Sequence, residues 1–416
     1  MEFEYNRGMD EVGELIIKEE RRQEETLMMI PSENYASKDV RSALGSVFGN
    51  KYAEGYPGRR YYQGNGIADE IENLAIERAK SLFGVPHANV QPYSGSPANT
   101  AAIMAMATPG EKIMGLKLSG GGHLTHGHPN ITFSGKYYES IQYDVNDEGW
   151  IDYDELEKIA KENKPKVIIA GTTAYPRVIE WERFGKIAER TGAYLLADIS
   201  HIAGLVVGGV HQSPVEFADV IMTTTHKTLR GPRGAILMVT EKGRNKDSEL
   251  MKKIDRAVFP GVQGGPHMNS IAGIAVALKE ANGPEFKEYA KQIVVNAKVL
   301  SEELIKSGFT LTTGGTDNHL MVMDLRKNDV DGKSAAVLLE EAGIVLNANA
   351  IPHDPNPPGK PSGIRLGTPA VTTRGMKEAE MVLIAGFIRQ VLCVQDSVLR
   401  TKDEVAELCR EFPVPE

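Results

Sequence analysis

The stretch from Asp219 to Arg233 reads DVIMTTTHKTLRGPR, and the rest of the chain is interpreted around it. It begins as an apolar strand at Val220, becomes polar at Thr223 and places Lys227 just before a Gly/Pro turn. A lysine at the end of a buried strand directs its amine at the sheet edge, where partial desolvation lowers the amine pKa. Such an amine can form a Schiff base with an aldehyde. The alternative is a surface lysine in a turn.

A second strand pattern, YLLADISH at 194–201, ends on an aspartate. Asp198 precedes Lys227 by 29 residues, about the length of one parallel strand–crossover–strand unit. An acid and an amine at the same edge of a parallel sheet suit pyridoxal phosphate. The amine holds the aldehyde, and the carboxylate keeps the ring nitrogen protonated.

A third pattern, HANVQPYSGSPANTAA from His87, predicts a strand to Tyr93, a turn at 94–96 and a helix with Pro97 in its first turn. Free N–H groups and the positive end of the helix dipole make such a turn an anion site. Turns of this kind are common, but together with Lys227 and Asp198 this one predicts a phosphate cradle.

Alternating strand and helix patterns predict an α/β fold with a mainly parallel sheet and sites at the strand C-termini. A change of character near Asn282 predicts three parts: an N-terminal helical arm (1–30), a large domain (31–282) and a smaller α+β domain (283–416). The predicted helices span 10–29, 67–83, 153–163, 181–192, 270–281, 285–307 and 333–342; the predicted strands include 166–171, 194–198, 234–240, 309–313, 319–325 and 343–347. Residues 30–66, rich in glycine and tyrosine, are expected to form an ordered, irregular loop.

Composition excludes several classes of protein. The 416 residues are 41% hydrophobic and 25% charged, as in globular proteins. A net charge of −9 without a basic block argues against nucleic acid and anionic membranes as partners. Two cysteines, no secretory signal and no apolar run of 18 residues lead us to expect a cytoplasmic protein.

Two further features are ambiguous on sequence grounds. His123, His126 and His128 lie close together, but no acidic residue or cysteine is near, so no metal site is predicted. Arg365 follows a proline-rich loop and is flanked by glycines. Such an arginine can bind a carboxylate through two parallel hydrogen bonds, or it can lie at the surface.

Nine motifs in order carry a resemblance to one family. They are SENYAS, NKYAEGYPGRRYY, SGSPANTAA, GGHLTHG, AYPR, LADISHIAGL, TTTHKTLRGPRG, FPGVQGGP and SGIRLGTPAVTTRG. Together they resemble serine hydroxymethyltransferases over nearly the whole chain, from about residue 10 to 395. The resemblance implies the aspartate-aminotransferase-like fold of pyridoxal-phosphate enzymes (fold type I), with a seven-stranded-type sheet. It also implies a homodimer with active sites shared between subunits.

The resemblance also assigns the cofactor residues. Lys227 would bond to the cofactor, Asp198 would pair with the ring nitrogen, His123 would stack on the ring, and His226 and Thr224 would tune the lysine. The remaining contacts would come from the phosphate group Ser94, Gly95 and Ser96, from Gly264 and Gly265 of the neighbouring subunit, and from Thr173, Ser200 and His201 around the ring.

Substrate and carrier residues follow in the same way. Arg365 and Ser32 would bind the amino-acid carboxylate, with His201 beside the substrate. Tyr52, Glu54 and Tyr62 of the neighbouring subunit would face the substrate hydroxyl and the folate, and Glu54 would transfer a proton. The pterin pocket would be formed by Leu118, Gly122, His123, Leu124, Glu54, Tyr61, Tyr62, Asn349, Pro357, Pro358 and Gly359.

Gly120, Thr173, Ser200 and Gly359 depart from the family pattern, which usually has histidine, serine, alanine and an aromatic residue at these positions. The residues at the first three of these positions are compatible with a cofactor site. Gly359 removes an aromatic surface for the p-aminobenzoate part of folate and therefore leaves a modified pterin open as the carrier.

The implied activity is the reversible conversion of serine and tetrahydrofolate to glycine and 5,10-methylenetetrahydrofolate. Two alternatives remain at this point. One is a carrier-independent aldolase for threonine-like substrates, against which the loop with Glu54 and Tyr62 argues. The other is a non-catalytic scaffold, against which the intact Lys227, Asp198 and Arg365 argue.

Overall fold

The central sheet has seven strands in the order β4-β10-β9-β8-β7-β5-β6. The computed structural model describes residues 10–357 and 359–415. Strands β5 to β9 run parallel, whereas β10 is antiparallel to both β9 and β4. The strands are β1 Leu27–Met28, β2 Gly55–Tyr56, β3 Arg59–Arg60, β4 His87–Asn89, β5 Lys112–Leu116, β6 Glu139–Tyr143, β7 Val167–Gly171, β8 Tyr194–Asp198, β9 Val220–Thr224, β10 Ala235–Val239, β11 Thr310–Leu311, β12 Leu320–Asp324, β13 Ile344–Val345, β14 Asn347–Asn349 and β15 Gly363–Gly367.

Helices connect these strands and cover both faces of the sheet. They are α1 Glu11–Glu25, α2 Lys38–Leu44, α3 Gly66–Phe83, α4 Gly95–Met106, α5 Phe133–Tyr137, α6 Tyr153–Asn163, α7 Trp181–Thr191, α8 Ala203–Val207, α9 Glu241–Lys246, α10 Leu250–Arg256, α11 Met268–Ala281, α12 Pro284–Lys306, α13 Gly332–Glu341, α14 Pro369–Thr373, α15 Glu378–Cys393 and α16 Val398–Glu411. Within the described ranges, none of these helices is both long and apolar enough to span a membrane.

Strand β7 illustrates how the sheet is buried on both sides. Val167 and Ile169 pack into one apolar cluster, whereas Ile168 and Ala170 pack into another on the opposite face. Successive side chains of a strand point to opposite faces, so a strand buried on both sides must be apolar throughout. This explains why the predicted strands 166–171 and 194–198 read as continuous apolar runs.

A second sheet, in the order β11-β12-β15-β14, forms the C-terminal part with a separate apolar core. Helix α12 joins the two cores. Phe286 and Ile293 in its first half pack into the large core, and Leu300 and Leu304 pack into the C-terminal one. The predicted division at 282/283 remains a prediction, because this one helix contributes to both cores.

The N-terminal segment corrects one prediction. The helix predicted over 10–29 ends at Glu25, and β1 pairs in parallel with β13. Leu27 and Met29 are fully buried in the C-terminal core. Burial of these apolar side chains in a sheet outweighs their helix propensity, which is a weak preference.

Three other expectations from the sequence differ in detail from the structure. The loop predicted over 30–66 contains α2, with Ser37 as its N-cap. The strand predicted to reach Tyr93 ends at Asn89, whose side chain accepts a hydrogen bond from the Gln91 N–H and closes a turn before Pro92. Strand β6 was not predicted, because its residues ESIQY alternate without a strong apolar pattern.

Arg374 joins the two ends of the chain. Its buried guanidinium donates to the carbonyls of Gln23, Glu24 and Thr26 at the end of α1, and to those of Cys409 and Phe412 at the end of α16. Two helix C-termini therefore provide the negative partial charge that balances this buried cation.

We predict that Arg374→Met lowers the free energy of unfolding by about 2–4 kcal/mol, because several buried carbonyls would lose their donor. Denaturant titration at fixed protein concentration measures the change. Arg400→Met on α16, where the side chain is 78% exposed, is the control and should change it by less than about 0.5 kcal/mol. Equal effects of the two substitutions would contradict this role for Arg374.

Candidate active site

A cavity of about 520 Å³ opens at the carboxyl ends of the parallel strands and extends to the C-terminal sheet. Its volume lies within the range of small-molecule sites. The predicted site residues that line it are Ser32, Ser94, Gly95, Ser96, Leu118, His123, Leu124, Thr173, Asp198, Ser200, His201, Thr224, His226, Lys227, Asn349 and Arg365.

Asp198, at the end of β8, is the buried anion of the cavity. Its Oδ2 accepts hydrogen bonds from His126 Nε2 at 2.9 Å and from Asn99 Nδ2 at 2.9 Å, and its Oδ1 accepts from the Ser200 N–H at 3.0 Å. Burial alone would raise the pKa of this carboxyl, but these hydrogen bonds outweigh burial and hold the pKa well below its usual value. The group is therefore a fixed negative charge.

Lys227 lies after β9, and its Nζ donates to Thr224 Oγ1 at 2.8 Å. Burial lowers the pKa of its amine to about 8; Arg365 and Arg233 act in the same direction, and the charge of Asp198 opposes them. At pH 7 about one tenth of the amine is therefore unprotonated, a far larger fraction than for a lysine of ordinary pKa. This is the state that attacks a carbonyl carbon.

The N-terminus of α4 also lines the cavity, next to β9. Ser94 is the N-cap residue, and its hydroxyl accepts no capping hydrogen bond from the helix. A Cβ on Gly95 would lie 2.8 Å from Thr224 Cγ2, so only glycine fits between this turn and β9. The backbone N–H groups of the first turn, with the dipole of a twelve-residue helix, can bind an anion here.

Three histidines in the cavity wall are kept neutral. Burial lowers the pKa of His123 to about 4 and that of His226 to about 3, and holds the pKa of His201 well below its usual value. His123 Nδ1 lies 2.7 Å from Thr125 Oγ1, which fixes the ring plane. His201 Nδ1 lies 3.3 Å from His319 Nε2. Neutral imidazoles can stack on a ring or exchange hydrogen bonds without adding positive charge.

Arg365 reaches the cavity from β15 of the C-terminal sheet. Its Nε donates to Asn347 Oδ1 at 3.0 Å and its Nη1 to the Thr173 carbonyl at 2.6 Å. Burial lowers the pKa of the guanidinium to about 10. No Asp or Glu of the described chain forms an ion pair with it, so it can bind an incoming carboxylate.

The structure shows what two departures from the family pattern do. Ser200 Oγ accepts from the Thr224 N–H at 3.1 Å and donates to Met222 Sδ at 3.6 Å. Thr173 Oγ1 donates to the Gly122 carbonyl at 2.8 Å. Both hydroxyls therefore form hydrogen bonds within the protein, that of Ser200 to β9 and that of Thr173 to the loop containing Gly122.

A second group of predicted residues forms an exposed surface outside the cavity lining. Tyr52 and Tyr62 pack edge to face at 5.2 Å, and Tyr52 Oη donates to Glu54 Oε1 at 3.2 Å. A Cβ on Gly264 would lie 3.1 Å from Glu54 Oε1, and one on Gly265 would lie 3.3 Å from the Tyr52 ring. We call these five residues the tyrosine–glycine surface. Tyr61, 71% exposed, lies beside it in the chain.

The predicted pterin residues divide into two groups. Leu118, Leu124 and Asn349 line the cavity, and Gly122 is buried behind it. Pro357 and Gly359 lie in an exposed loop, and a Cβ on Gly359 would meet nothing within 4 Å. Pro358 lies outside the described residues.

Sequence reasoning missed three residues. His126 and Asn99 hold Asp198, and Glu33 lies in the cavity wall beside Ser32. Burial raises the pKa of the Glu33 carboxyl. The motif GGHLTHG contains His126, but the motif alone does not indicate its partner Asp198, which lies 72 positions further along the chain. Within the described ranges, no cluster of three or more His, Cys, Asp or Glu is arranged to hold a metal ion.

Comparison with known proteins agrees with this geometry. A sequence model of serine hydroxymethyltransferases matches residues 6–388. A serine hydroxymethyltransferase of Acidothermus cellulolyticus is 55% identical over 97% of this chain and 95% of its own length. The corresponding proteins of Legionella pneumophila and Desulfotalea psychrophila are 52% and 51% identical over 97% of this chain, and over 97% and 94% of their own lengths. The chain therefore belongs to the serine hydroxymethyltransferase family.

Proposed function

We propose that this protein uses pyridoxal phosphate to convert serine and tetrahydrofolate reversibly to glycine and 5,10-methylenetetrahydrofolate. The observation that carries the proposal is one cavity containing a lysine amine of lowered pKa, a buried aspartate and an arginine that pairs with no carboxylate among residues 10–357 and 359–415. Family membership identifies the carrier and the pair of amino acids, serine and glycine, between which the one-carbon unit is transferred.

The residues of the cavity fit pyridoxal phosphate. Lys227 would provide the amine that bonds to the cofactor aldehyde, and Asp198 would provide a permanent negative charge beside the ring nitrogen. The N-terminus of α4 would bind the cofactor phosphate. A Cβ on Gly95 would collide with Thr224 Cγ2, so glycine at this position lets the α4 turn approach β9 and the neighbouring Lys227 closely. When bound, the cofactor supplies a ring that accepts electrons from a developing carbanion.

Arg365 is proposed to bind the carboxylate of serine and so to orient the bonds around its α-carbon. Asn347 and the Thr173 carbonyl each accept from the guanidinium and hold its plane. The position of the bound carboxylate can therefore determine which bond of the α-carbon is broken, because a fixed carboxylate leaves few orientations for the rest of a small substrate.

Glu54 is proposed to transfer a proton in the active site of a partner subunit. It lies on the tyrosine–glycine surface and does not line the cavity of its own chain. Tyr52 and Tyr62 at this surface are 57% and 47% exposed, as expected for a surface that a second copy of the chain covers in a dimer. We therefore infer a homodimer with shared active sites. A cytoplasmic location is supported by the free cysteines Cys393 and Cys409.

The first test is glycine formation from serine by the purified protein, with and without tetrahydrofolate. We expect strong dependence on tetrahydrofolate, because a carrier-independent aldolase would not need the loop that carries Glu54 and Tyr62. Cleavage of allo-threonine, measured in parallel, should need no carrier. If serine stays inert at saturating tetrahydrofolate while allo-threonine is cleaved, the tetrahydrofolate proposal is wrong, and a modified pterin is the next carrier to test.

A second test uses the pKa of Lys227. Only the neutral amine attacks an aldehyde, so the rate at which cofactor-free protein binds pyridoxal phosphate should rise with pH through about 8 and then level. The negative charge of Asp198 favours the protonated amine, so Asp198→Asn should move the midpoint to lower pH. Stopped-flow absorbance measures the rate. The control is Asp247→Asn, which should leave the midpoint unchanged because Asp247 lies outside the cavity wall. An upward shift of the midpoint in Asp198→Asn would contradict the proposed effect of the Asp198 charge on the amine.

A third test addresses the shared site by mixing two inactive variants, Lys227→Ala and Glu54→Gln. In a hybrid dimer one site carries both changes and the other carries neither. Random association of equal amounts should therefore restore about one quarter of the sites. Each variant alone, taken through the same dissociation and re-association, is the control. No recovery in hybrids verified by native mass spectrometry would place Glu54 and Lys227 in the same subunit's site.

A further inference from the structure

The Asn34 side-chain amide uses all of its hydrogen-bonding capacity, and one of its hydrogen bonds reaches the backbone of Lys227. It lies between β1 and α2, and its Nδ2 donates to the Lys227 carbonyl at 3.0 Å and to Tyr289 Oη at 2.7 Å. Its Oδ1 accepts from the Tyr35 N–H at 2.9 Å and from Thr373 Oγ1 at 2.7 Å. The amide has one possible orientation, since a backbone N–H must meet oxygen and a carbonyl must meet nitrogen.

The same carbonyl closes the turn that follows the lysine. It accepts a second hydrogen bond from the Arg230 N–H at 3.1 Å, and Arg230 has a left-handed backbone with φ of 56°. The Arg230 guanidinium lies 4.1 Å from the centre of the Tyr289 ring. Asn34 and Arg230 therefore hold the turn between them, and both rest on the same tyrosine of α12.

We propose that Asn34 is a positioning residue for Lys227, which fixes the lysine backbone so that the flexible side chain delivers its amine to one point of the cavity. This rests on the proposed function, in which that amine bonds to pyridoxal phosphate. Four methylene groups give the side chain many rotamers, so a small shift of the backbone displaces the amine from Asp198 and Thr224. Asn34 also ties Lys227 to Thr373, which lies on α14 after the strand that carries Arg365.

Ser37 provides a matched control in the same segment. Its Oγ donates to Glu280 Oε1 at 2.6 Å and accepts from the Val40 N–H at 3.2 Å. It anchors the segment to α11 and caps α2, but none of its hydrogen bonds reaches Lys227. Ser37→Ala therefore loosens the segment without touching the lysine. A merely structural role for Asn34 predicts that Asn34 and Ser37 variants behave alike.

The experiment compares Asn34→Ala, Asn34→Asp and Ser37→Ala by three measurements. The first is the pH dependence of Lys227 acetylation by acetic anhydride in cofactor-free protein, quantified by mass spectrometry. The second is the rate of pyridoxal phosphate loss on dialysis, and the third is kcat and KM for serine. Asn34→Asp keeps both acceptor contacts and loses the Nδ2 donor, so it separates the donor contacts to the Lys227 carbonyl and Tyr289 Oη from the acceptor contacts.

We expect the acetylation midpoint of Asn34→Ala to move from about 8 toward the ordinary lysine value, because the amine leaves its desolvated position. In both Asn34 variants kcat should fall on the order of 10- to 100-fold, with KM changed by less than about threefold. Pyridoxal phosphate should be lost about tenfold faster from both. Ser37→Ala should resemble the unaltered protein in all three measurements.

Two results would overturn the proposal. One is an Asn34→Ala protein that matches Ser37→Ala in acetylation midpoint and cofactor loss. The other is an Asn34→Asp protein that retains normal cofactor loss and kcat, which would assign the effect to the acceptor contacts. The acetylation measurement needs neither cofactor nor substrate, so it tests Asn34 even if the unaltered protein forms no glycine from serine.

Discussion

The buried charge of Asp198 is the constraint on which the rest of the site depends. A carboxylate at the end of a central strand is stable only if hydrogen bonds replace its lost hydration. His126 and Asn99 supply them from the loop after β5 and from α4, and the Ser200 N–H supplies a third. The loop and the helix therefore meet at β8, and the remaining cavity walls are built around that point.

The packing around Asp198 also explains the glycines at this edge. Gly171 on β7 lies opposite Asp198 in the parallel register, and a Cβ there would approach the Asp198 carbonyl to 2.4 Å. Gly95 makes the equivalent close approach to β9. Small residues let the strands and the α4 turn come close enough for an amine, a carboxylate and a helix N-terminus to share one cavity.

Binding of an amino acid then needs a second part of the chain. Arg365 lies on the C-terminal sheet and Lys227 follows a strand of the central one, so their separation is set by contacts between the two parts. Helix α12 contributes to both apolar cores, and Asn34 connects Lys227 with Tyr289 and Thr373. This relation is carried mainly by long-range packing and side-chain hydrogen bonds, which have no local sequence pattern.

The sequence by itself indicated most strands of the central sheet and placed Asp198 and Lys227 at or just after the ends of two of them, because apolar runs and the polar residues that follow them are local signals. Strand β6 gave no such signal, and only the folded chain brings Arg365 into the same cavity. The sequence did not predict that Leu27 and Met29 join the C-terminal core, nor that His126 and Asn99 hold Asp198. The tertiary structure also decided that Tyr52 and Glu54 lie outside the cavity of their own chain. Contacts between residues tens or hundreds of positions apart depend on how layers pack, and only the folded chain specifies them.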